Sequence, residues 1–198
     1  FPFGTSKEME IGYARVRASR ITYVGELGWE LYIPTEFAGH VFERILEAGA
    51  DFGLSPAGMH TMNNSGVEKD YRHGGHDITD EDTPVEAGLG FVVAWNKKAG
   101  FIGRDRLIKQ RDRNVQEKRM VCLALANGGD KAALMYHEEP IYRDGIIVCS
   151  TTSGAWGHRI NASLGMGYVK NAEGVTKDWL QAGKWEVEIA WQRYPANV

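Results

Sequence analysis

Two carboxylates in the stretch ITYVGELGWELYIP, residues 21–34, are the first side chains in this sequence that could do chemistry. The alternation around a Gly-containing turn predicts a strand, a tight turn and a second strand. Glu26 falls at the turn, whereas Glu30 falls inside the second strand. A strand carboxylate can simply face solvent, or it can accept two parallel N–H bonds from an amino-heterocycle, because its two oxygens form a fork. The pattern alone leaves both interpretations open.

The period of two also assigns the faces of the second strand. Trp29, Leu31 and Ile33 alternate with Glu30 and Tyr32. Because successive side chains of a strand point to opposite faces, the apolar trio is predicted to face inward. Glu30 is therefore predicted to lie on the outward face, opposite the core.

The motif His73-x-x-His76-Asp77 has residue types that metals bind, but it lies in the Gly-containing polar loop 72–86. No further His or Cys cluster in the sequence completes a metal site, so we interpret these side chains as polar loop residues. The segment GLGFVV lacks the third glycine of a dinucleotide-binding fingerprint. The sequence also contains neither a Gly-x-Ser-x-Gly elbow nor a phosphate-binding loop.

The composition excludes several classes of partner. The chain has 198 residues, a formal net charge of −3 and 43% hydrophobic residues, as in an ordinary globular protein. This charge gives no electrostatic case for a nucleic-acid partner, and no apolar run is long enough for a transmembrane helix. The chain begins FPFG without an initiator Met, and we expect it to be a piece of a longer protein or a processed product.

The two cysteines, Cys122 and Cys149, each lie in a β-like apolar run. We expect two buried thiols, because a disulfide framework normally has more cysteines in a shorter chain. This usage suits a reducing compartment, which is the cytoplasm, or the mitochondrial matrix if the source is eukaryotic.

The first part of the chain has a mixed α and β pattern. Its predicted elements are a helix over 36–48, a helix over 56–71, a buried strand over 87–95 and a short helix over 104–111. Residues 112–118 are charged and have no apolar period, which places a domain boundary there.

Beyond this boundary, short β-type runs are separated by clusters of Gly, Asn and Asp. This spacing is typical of a small antiparallel barrel or sandwich. We therefore predict an α+β fold, with an α+β domain over residues 1–114 and a β-barrel domain over residues 115–198.

Four blocks in collinear order carry a resemblance to a known family. RITYVGELGWELYIP resembles the T-Y-x-G-E-x-G-[FYW]-E signature of the glycine-cleavage T-protein family. GHDITDEDTPVEAGLG, FIGRD and TTSGAWGHRINASLGMGYV resemble its helix–loop segment, its F-I-G motif and its barrel motif. The opening FPFGTSKEMEIG is similar to the branch of dimethylglycine and sarcosine dehydrogenases, whose C-terminal half is T-protein-like.

The resemblance implies a folate-binding part of a flavoenzyme. In such enzymes an N-terminal FAD domain oxidises an N-methyl amine, and tetrahydrofolate in the C-terminal half captures the one-carbon unit. Tyr23 and Glu30 are then expected in the pterin pocket, with Glu30 holding the ring N–H and amino group. Trp156 is a candidate wall of the pocket, or an ordinary aromatic residue at the barrel rim. The expected partners are folate and the missing N-terminal domains of the same chain, which would also hold any FAD.

The sequence departs from the family pattern at two places. The tripeptide Gly66-Val67-Glu68 stands where the family has R-[LI]-E, so the arginine that helps to hold folate is missing. A charge-assisted contact of this kind contributes about 1.5–3 kcal/mol when buried. The family's catalytic Asp belongs to an N-terminal region that these residues do not include, so no catalytic residue is assigned.

Three functions remain open at this point. The chain can belong to a dimethylglycine or sarcosine dehydrogenase-like enzyme that transfers a one-carbon unit to tetrahydrofolate. It can belong to a stand-alone aminomethyltransferase of glycine cleavage, which would lack an upstream FAD fingerprint. It can also belong to a non-catalytic paralogue that acts as an interaction or regulatory subunit, an interpretation that Gly66 favours.

Overall fold

The computed structural model describes residues 1–113, 115–126 and 133–198. The chain folds into two compact units, residues 1–65 and residues 66–198. Asn114, where the predicted first domain ends, lies outside the described residues, and the predicted boundary between 114 and 115 stays a prediction.

A small antiparallel sheet covered by one helix forms the first unit. Its elements are β1 (Ser6–Ile11), β2 (Ala14–Ser19), β3 (Glu30–Tyr32) and α1 (Ala38–Gly49), with a 3₁₀ turn at Thr35–Phe37 before the helix. The strands follow the order β1-β2-β3. Alternate residues of β2 are buried, and Ala14 and Val16 pack with Val41 of α1. The predicted second strand and helix are confirmed, although that strand is only three residues long. The first strand and tight turn predicted within residues 21–29 are wrong, because β2 ends at Ser19 and a loop of ten residues leads to β3.

The second helix, α2 (Met59–Glu68), is shorter than the predicted span of residues 56–71. Pro56 precedes the helix rather than opening it. The helix ends where Asp70 adopts a left-handed conformation with φ 55°, and the Tyr71 N–H bonds to the carbonyl of Gly66. A left-handed residue after a helix satisfies terminal carbonyls in this way, so the helix cannot continue to Tyr71.

The strand predicted over residues 87–95 is wrong. The structure has a 3₁₀ turn at Gly90–Val92, and Phe91 is 82% exposed. Gly88 has φ 73°, and the indole N–H of Trp95 donates to the Gly90 carbonyl at 2.9 Å. These turn contacts bend the backbone back on itself, so the apolar residues of this run cannot line a buried strand.

A closed antiparallel barrel dominates the second unit. Its strands are β4 (Gln116–Leu125), β5 (Pro140–Arg143), β6 (Ile146–Gly157), β7 (Ala162–Val175), β8 (Trp185–Ile189) and β9 (Gln192–Asn197), accompanied by α3 (Arg104–Asp112) and α4 (Lys177–Ala182). The strand order is β4-β7-β6-β5-β8-β9, and pairing of β9 with β4 closes the barrel. The predicted α+β architecture, the barrel and the short helix over 104–111 are therefore confirmed.

Side chains fill the barrel, and glycine makes room for a crossing segment. Leu123, Ile141 and Val187 are completely buried in its core. The backbone of Met135 passes so close to β6 that a Cβ at Gly154 would lie 2.2 Å from the Met135 carbonyl oxygen. The glycine of the T-S-G motif is thus required by backbone packing.

Candidate functional site

Glu30 opens β3 on the outer face of the small sheet. In the register of β2 and β3, Glu30 pairs with Ser19, and Leu31 pairs with the buried Ala18. Glu30 is exposed, and none of the ion pairs found in residues 1–113, 115–126 and 133–198 includes it. The predicted outward orientation is consistent with this exposure, and no lysine or arginine of the described residues neutralises the carboxylate.

Tyr32 is the side chain that contacts Glu30. Its hydroxyl donates to Oε2 of Glu30 at 2.9 Å. This hydrogen bond and the negative charge of Glu30 raise the pKa of the Tyr32 phenol, because both favour the protonated form. Sequence reasoning placed Tyr32 on the face of Glu30 but gave it no role; the i,i+2 spacing was the signal that could have found it.

Tyr23 lies in the loop before β3 and is half-buried. The loop turns at Thr22, whose hydroxyl accepts the Val24 N–H at 3.2 Å, and at Gly25, which has φ 68°. A left-handed glycine followed by Glu26 explains why the motif needs Gly at this position. The role expected for Tyr23 in a pterin pocket stays a prediction.

The inward orientation predicted for Trp29 is wrong. Trp29 is 45% exposed, its ring meets the edge of Phe1 at 6.3 Å between centroids, and the Arg20 guanidinium lies 4.9 Å from it. Trp29 precedes β3, so the alternation of the strand does not control its direction. Ile33, by contrast, packs against the core of the unit, as predicted.

Trp156 belongs to the second unit, near the end of the β6–β7 pairing that leads into the connecting turn. It is half-buried and lies opposite Ser163, between the buried Ala155 and Gly157. Burial therefore alternates along this part of β6, because successive residues of a strand point to opposite faces of the sheet. Its role as a wall of the folate pocket remains a prediction.

The helix end that departs from the family pattern has a structural task in the second unit. Gly66 and Val67 are buried. Glu68 accepts the backbone N–H groups of Arg159 and Ile160 at 2.6 and 3.1 Å, in the turn between β6 and β7. The carboxylate therefore anchors the barrel hairpin, while residue 66 contributes no charged side chain.

The loop carrying the histidine motif is held by a buried carboxylate. Asp77 is 1% exposed and accepts bonds from the His73 N–H at 2.7 Å, the Thr152 hydroxyl at 2.6 Å and the Ser153 hydroxyl at 2.5 Å. In the part of the chain that the structure describes, no three His, Cys, Asp or Glu side chains form a group able to hold a metal. Asp77 thus ties the loop to the T-S-G strand of the barrel.

Both cysteines are free thiols on barrel strands. They are half-buried rather than fully buried, which corrects the prediction. Burial, reinforced by the negative charge of Asp70, raises the pKa of the Cys122 thiol to about 11. A thiol with so high a pKa is a poor nucleophile at neutral pH, so Cys122 belongs to the packing of the barrel.

Within the described ranges, no helix has the length and apolar content needed to cross a membrane.

Two family models match consecutive parts of the chain. Residues 1–97 match the GCVT N-terminal domain, and residues 118–198 match the Glycine cleavage T-protein C-terminal barrel domain. The fold is also that of a solved structure, the glycine cleavage system aminomethyltransferase T from Bartonella henselae. The TM-score is 0.79 at 22% identity, over all of this chain and 51% of that one.

Several curated relatives match this chain over its whole length. 4-Methylaminobutanoate oxidase (formaldehyde-forming) of Paenarthrobacter nicotinovorans is 36% identical over 198 residues. Mouse mitochondrial sarcosine dehydrogenase and the mouse mitochondrial pyruvate dehydrogenase phosphatase regulatory subunit are each 33% identical. The chain spans less than a quarter of these relatives, at 23%, 21% and 24% of their lengths.

The fold and the two domain matches thus define a T-protein-type module with its C-terminal barrel. The chain belongs to the glycine cleavage T-protein family, and its relatives include proteins named as sarcosine dehydrogenase, dimethylglycine dehydrogenase and aminomethyltransferase, as the sequence blocks predicted. The resemblance drawn from residues 20–34, and from the helix–loop and barrel motifs, is confirmed.

Proposed function

We propose that this chain is the folate-binding portion of an enzyme that oxidatively demethylates an N-methyl amine, dimethylglycine or sarcosine, and transfers the one-carbon unit to tetrahydrofolate. The observation that carries the proposal is Glu30, an exposed strand carboxylate whose described contact is a hydrogen bond from Tyr32. The identity to mouse sarcosine dehydrogenase over the whole chain supports the same assignment.

The acceptor positions of Glu30 fit the donor edge of a pterin. An ionised carboxylate accepts about four hydrogen bonds on two oxygens, and Tyr32 occupies one acceptor position on Oε2. The remaining positions suit the adjacent ring N–H and amino group of a pterin, which donate in parallel. Tetrahydrofolate, when bound, supplies the nitrogens that capture the one-carbon unit, whereas Glu30 orients the ring and takes no part in bond making.

The missing arginine sets the expected strength of this site. Gly66 carries no charge where the family pattern has an arginine, so binding depends more heavily on Glu30 and on the other domains of the same protein. We place any FAD in those other domains, because residues 1–198 contain no dinucleotide-binding fingerprint.

The experiment is a calorimetric titration of tetrahydrofolate into the protein at its natural length, as wild type and as Glu30→Gln. The amide replaces one acceptor oxygen by a donor that faces the pterin N–H. We expect a loss of about 2–4 kcal/mol, or roughly 30- to 1000-fold in affinity. Glu10→Gln is the matched control, because Glu10 is an exposed strand carboxylate of the same sheet. Equal affinities of wild type and Glu30→Gln would remove Glu30 from the site.

A regulatory role is the second candidate function, and two observations favour it. One relative is named as a phosphatase regulatory subunit, and Gly66 replaces the arginine of the family pattern. Absence of tetrahydrofolate binding by the wild-type protein, together with absence of amine oxidation, would support this role. Oxidation that releases formaldehyde without folate binding would instead point to the chemistry in the name of the Paenarthrobacter relative.

A stand-alone aminomethyltransferase is the remaining alternative. The solved structure with the same fold carries that name, but its identity of 22% supports the fold alone. A FAD-binding fingerprint upstream of Phe1 would decide for the flavoenzyme. We place the protein in the cytoplasm, or in the mitochondrial matrix if its source is eukaryotic, as several relatives are named mitochondrial.

A further inference from the structure

Tyr32 and Glu30 form a defined pair on the open face of the small sheet. They are separated by one residue of β3, so both side chains lie on the face opposite Leu31. In the register with β2, Ser19 lies opposite Glu30 and Arg17 lies opposite Tyr32. Glu30 therefore sits in a row of polar groups, with its neighbours fixed by strand pairing rather than by a flexible loop.

The hydrogen bond between the two side chains has only one direction. A carboxylate can only accept, so the phenol of Tyr32 donates to Oε2, across 2.9 Å. The Arg17 guanidinium lies 4.0 Å from the Glu8 carboxylate, and none of the ion pairs of the described residues joins it to Glu30. The phenol thus restricts the orientation of a carboxylate that is otherwise exposed to solvent.

We propose that Tyr32 is a positioning residue for the Glu30 carboxylate and sets its plane for the donor edge of the pterin. This inference rests on the function proposed above. A free glutamate side chain samples many rotamers, and a group held in its binding orientation loses less entropy when the ligand arrives. Tyr32 acts through Glu30 and needs no contact with folate itself.

The first test needs no ligand. Tyrosine is labelled with ¹³C at the ring carbon that bears the hydroxyl, and its NMR signal is followed as a function of pH. The Tyr32 signal should titrate at a higher pH than that of a free tyrosine, because the bond to Glu30 raises the pKa of Tyr32. In Glu30→Gln the titration of Tyr32 should move to lower pH. An unchanged titration would overturn the pairing, and with it the inference.

The second test measures tetrahydrofolate affinity in the natural full-length protein as Tyr32→Phe, with Tyr13→Phe as the matched control. Tyr32→Phe should weaken binding about 3- to 10-fold, the range expected for one hydrogen bond, and Tyr13→Phe should leave it unchanged. In steady state, Tyr32→Phe should raise KM for tetrahydrofolate and leave kcat for amine oxidation unchanged.

The outcomes of these tests distinguish the proposed folate-binding function from the positioning role of Tyr32. Weak binding by Glu30→Gln with wild-type binding by Tyr32→Phe would overturn the positioning role and keep the proposed function. Absence of binding by the wild type would overturn the proposed function and the inference together. A loss in Tyr32→Phe that Tyr13→Phe reproduces would overturn the specific role of Tyr32.

Discussion

The barrel unit and the small sheet hold their carboxylates in opposite ways. In the barrel unit, Asp77 is buried and accepts three hydrogen bonds from the protein itself. In the sheet, Glu30 is exposed and accepts one such bond, from Tyr32. A carboxylate whose acceptor positions are filled by its own chain stabilises the fold, whereas one with open positions can bind a ligand. The contrast marks Asp77 as a structural acid and leaves Glu30 with the open acceptor positions that its proposed ligand role requires.

The largest expected effect comes from removing the buried acid. Asp77→Ala removes the acceptor of the Ser153 hydroxyl and of the His73 N–H, and leaves the Thr152 hydroxyl with its 3.3 Å bond to the Met166 carbonyl. We expect the free energy of unfolding to fall by about 3–5 kcal/mol, because Asp77 is itself buried and hydrogen bonds to a charged group are strong. Urea denaturation measures this loss. Asp80→Ala, an exposed acid of the same loop, is the control and should change stability little. Equal free energies of unfolding for Asp77→Ala and Asp80→Ala would contradict the structural role of Asp77.

An intermediate effect concerns the pH dependence of the barrel unit. Burial raises the pKa of Asp82, but bonds from Lys118 and Thr79 outweigh it and bring the pKa below its usual value. Lys118 Nζ lies 2.5 Å from the Asp82 carboxylate, whose side chain is 5% exposed. A depressed pKa means that the stabilisation is complete above the unfolded pKa, near about pH 4, and is lost as the pH falls through the folded pKa.

Asp82→Asn should therefore lower the free energy of unfolding at pH 7 by about 1–2 kcal/mol, and the difference from wild type should be smaller at about pH 3, below the unfolded pKa of an aspartate. Urea unfolding at both pH values checks this. A difference that stays constant with pH would show that the loss comes from packing rather than from the charge of Asp82.

The smallest expected effect is on the stability of the open sheet. Glu30→Ala removes an exposed carboxylate with one hydrogen bond, from a tyrosine that is itself 55% exposed. The free energy of unfolding should change by less than about 0.5 kcal/mol, because water replaces the lost partner. Thermal unfolding of the variant beside wild type measures it. If Glu30→Ala lowered the free energy of unfolding as much as Asp77→Ala, Glu30 would be a structural acid, which would contradict the proposed ligand role.

Local patterns predict the barrel well and the long-range contacts poorly. The short β-type runs between residues 119 and 194 become strands, because alternation and turn residues are both local signals. Residues 87–95 mislead, since an apolar run without a clear period does not reveal whether it is buried. Phe91 is apolar and yet exposed.

The candidate site shows the same difference between local patterns and long-range contacts. Alternation predicts that Glu30 lies on the outward face of its strand, and the same period places Tyr32 beside it. The bonds of Asp77 to Thr152 and Ser153 join residues more than seventy positions apart, which no window of the sequence can show. The direction of Trp29 also failed, because it depends on where β3 begins, and strand ends are the least certain part of a pattern.

Closure of the barrel by its last strand has a consequence for synthesis in the cell. Ala124 and Leu125 of β4 pair with Asn197 and Ala196 of β9, so this seam forms only after residue 197 has left the ribosome. At roughly 5–20 residues per second, the apolar end of β4 waits on the order of 4–14 s for its partner strand. During that interval one edge of a hydrophobic strand is open to pairing with other nascent chains. The nascent barrel is therefore a candidate client for chaperones that cover exposed strand edges until translation is complete.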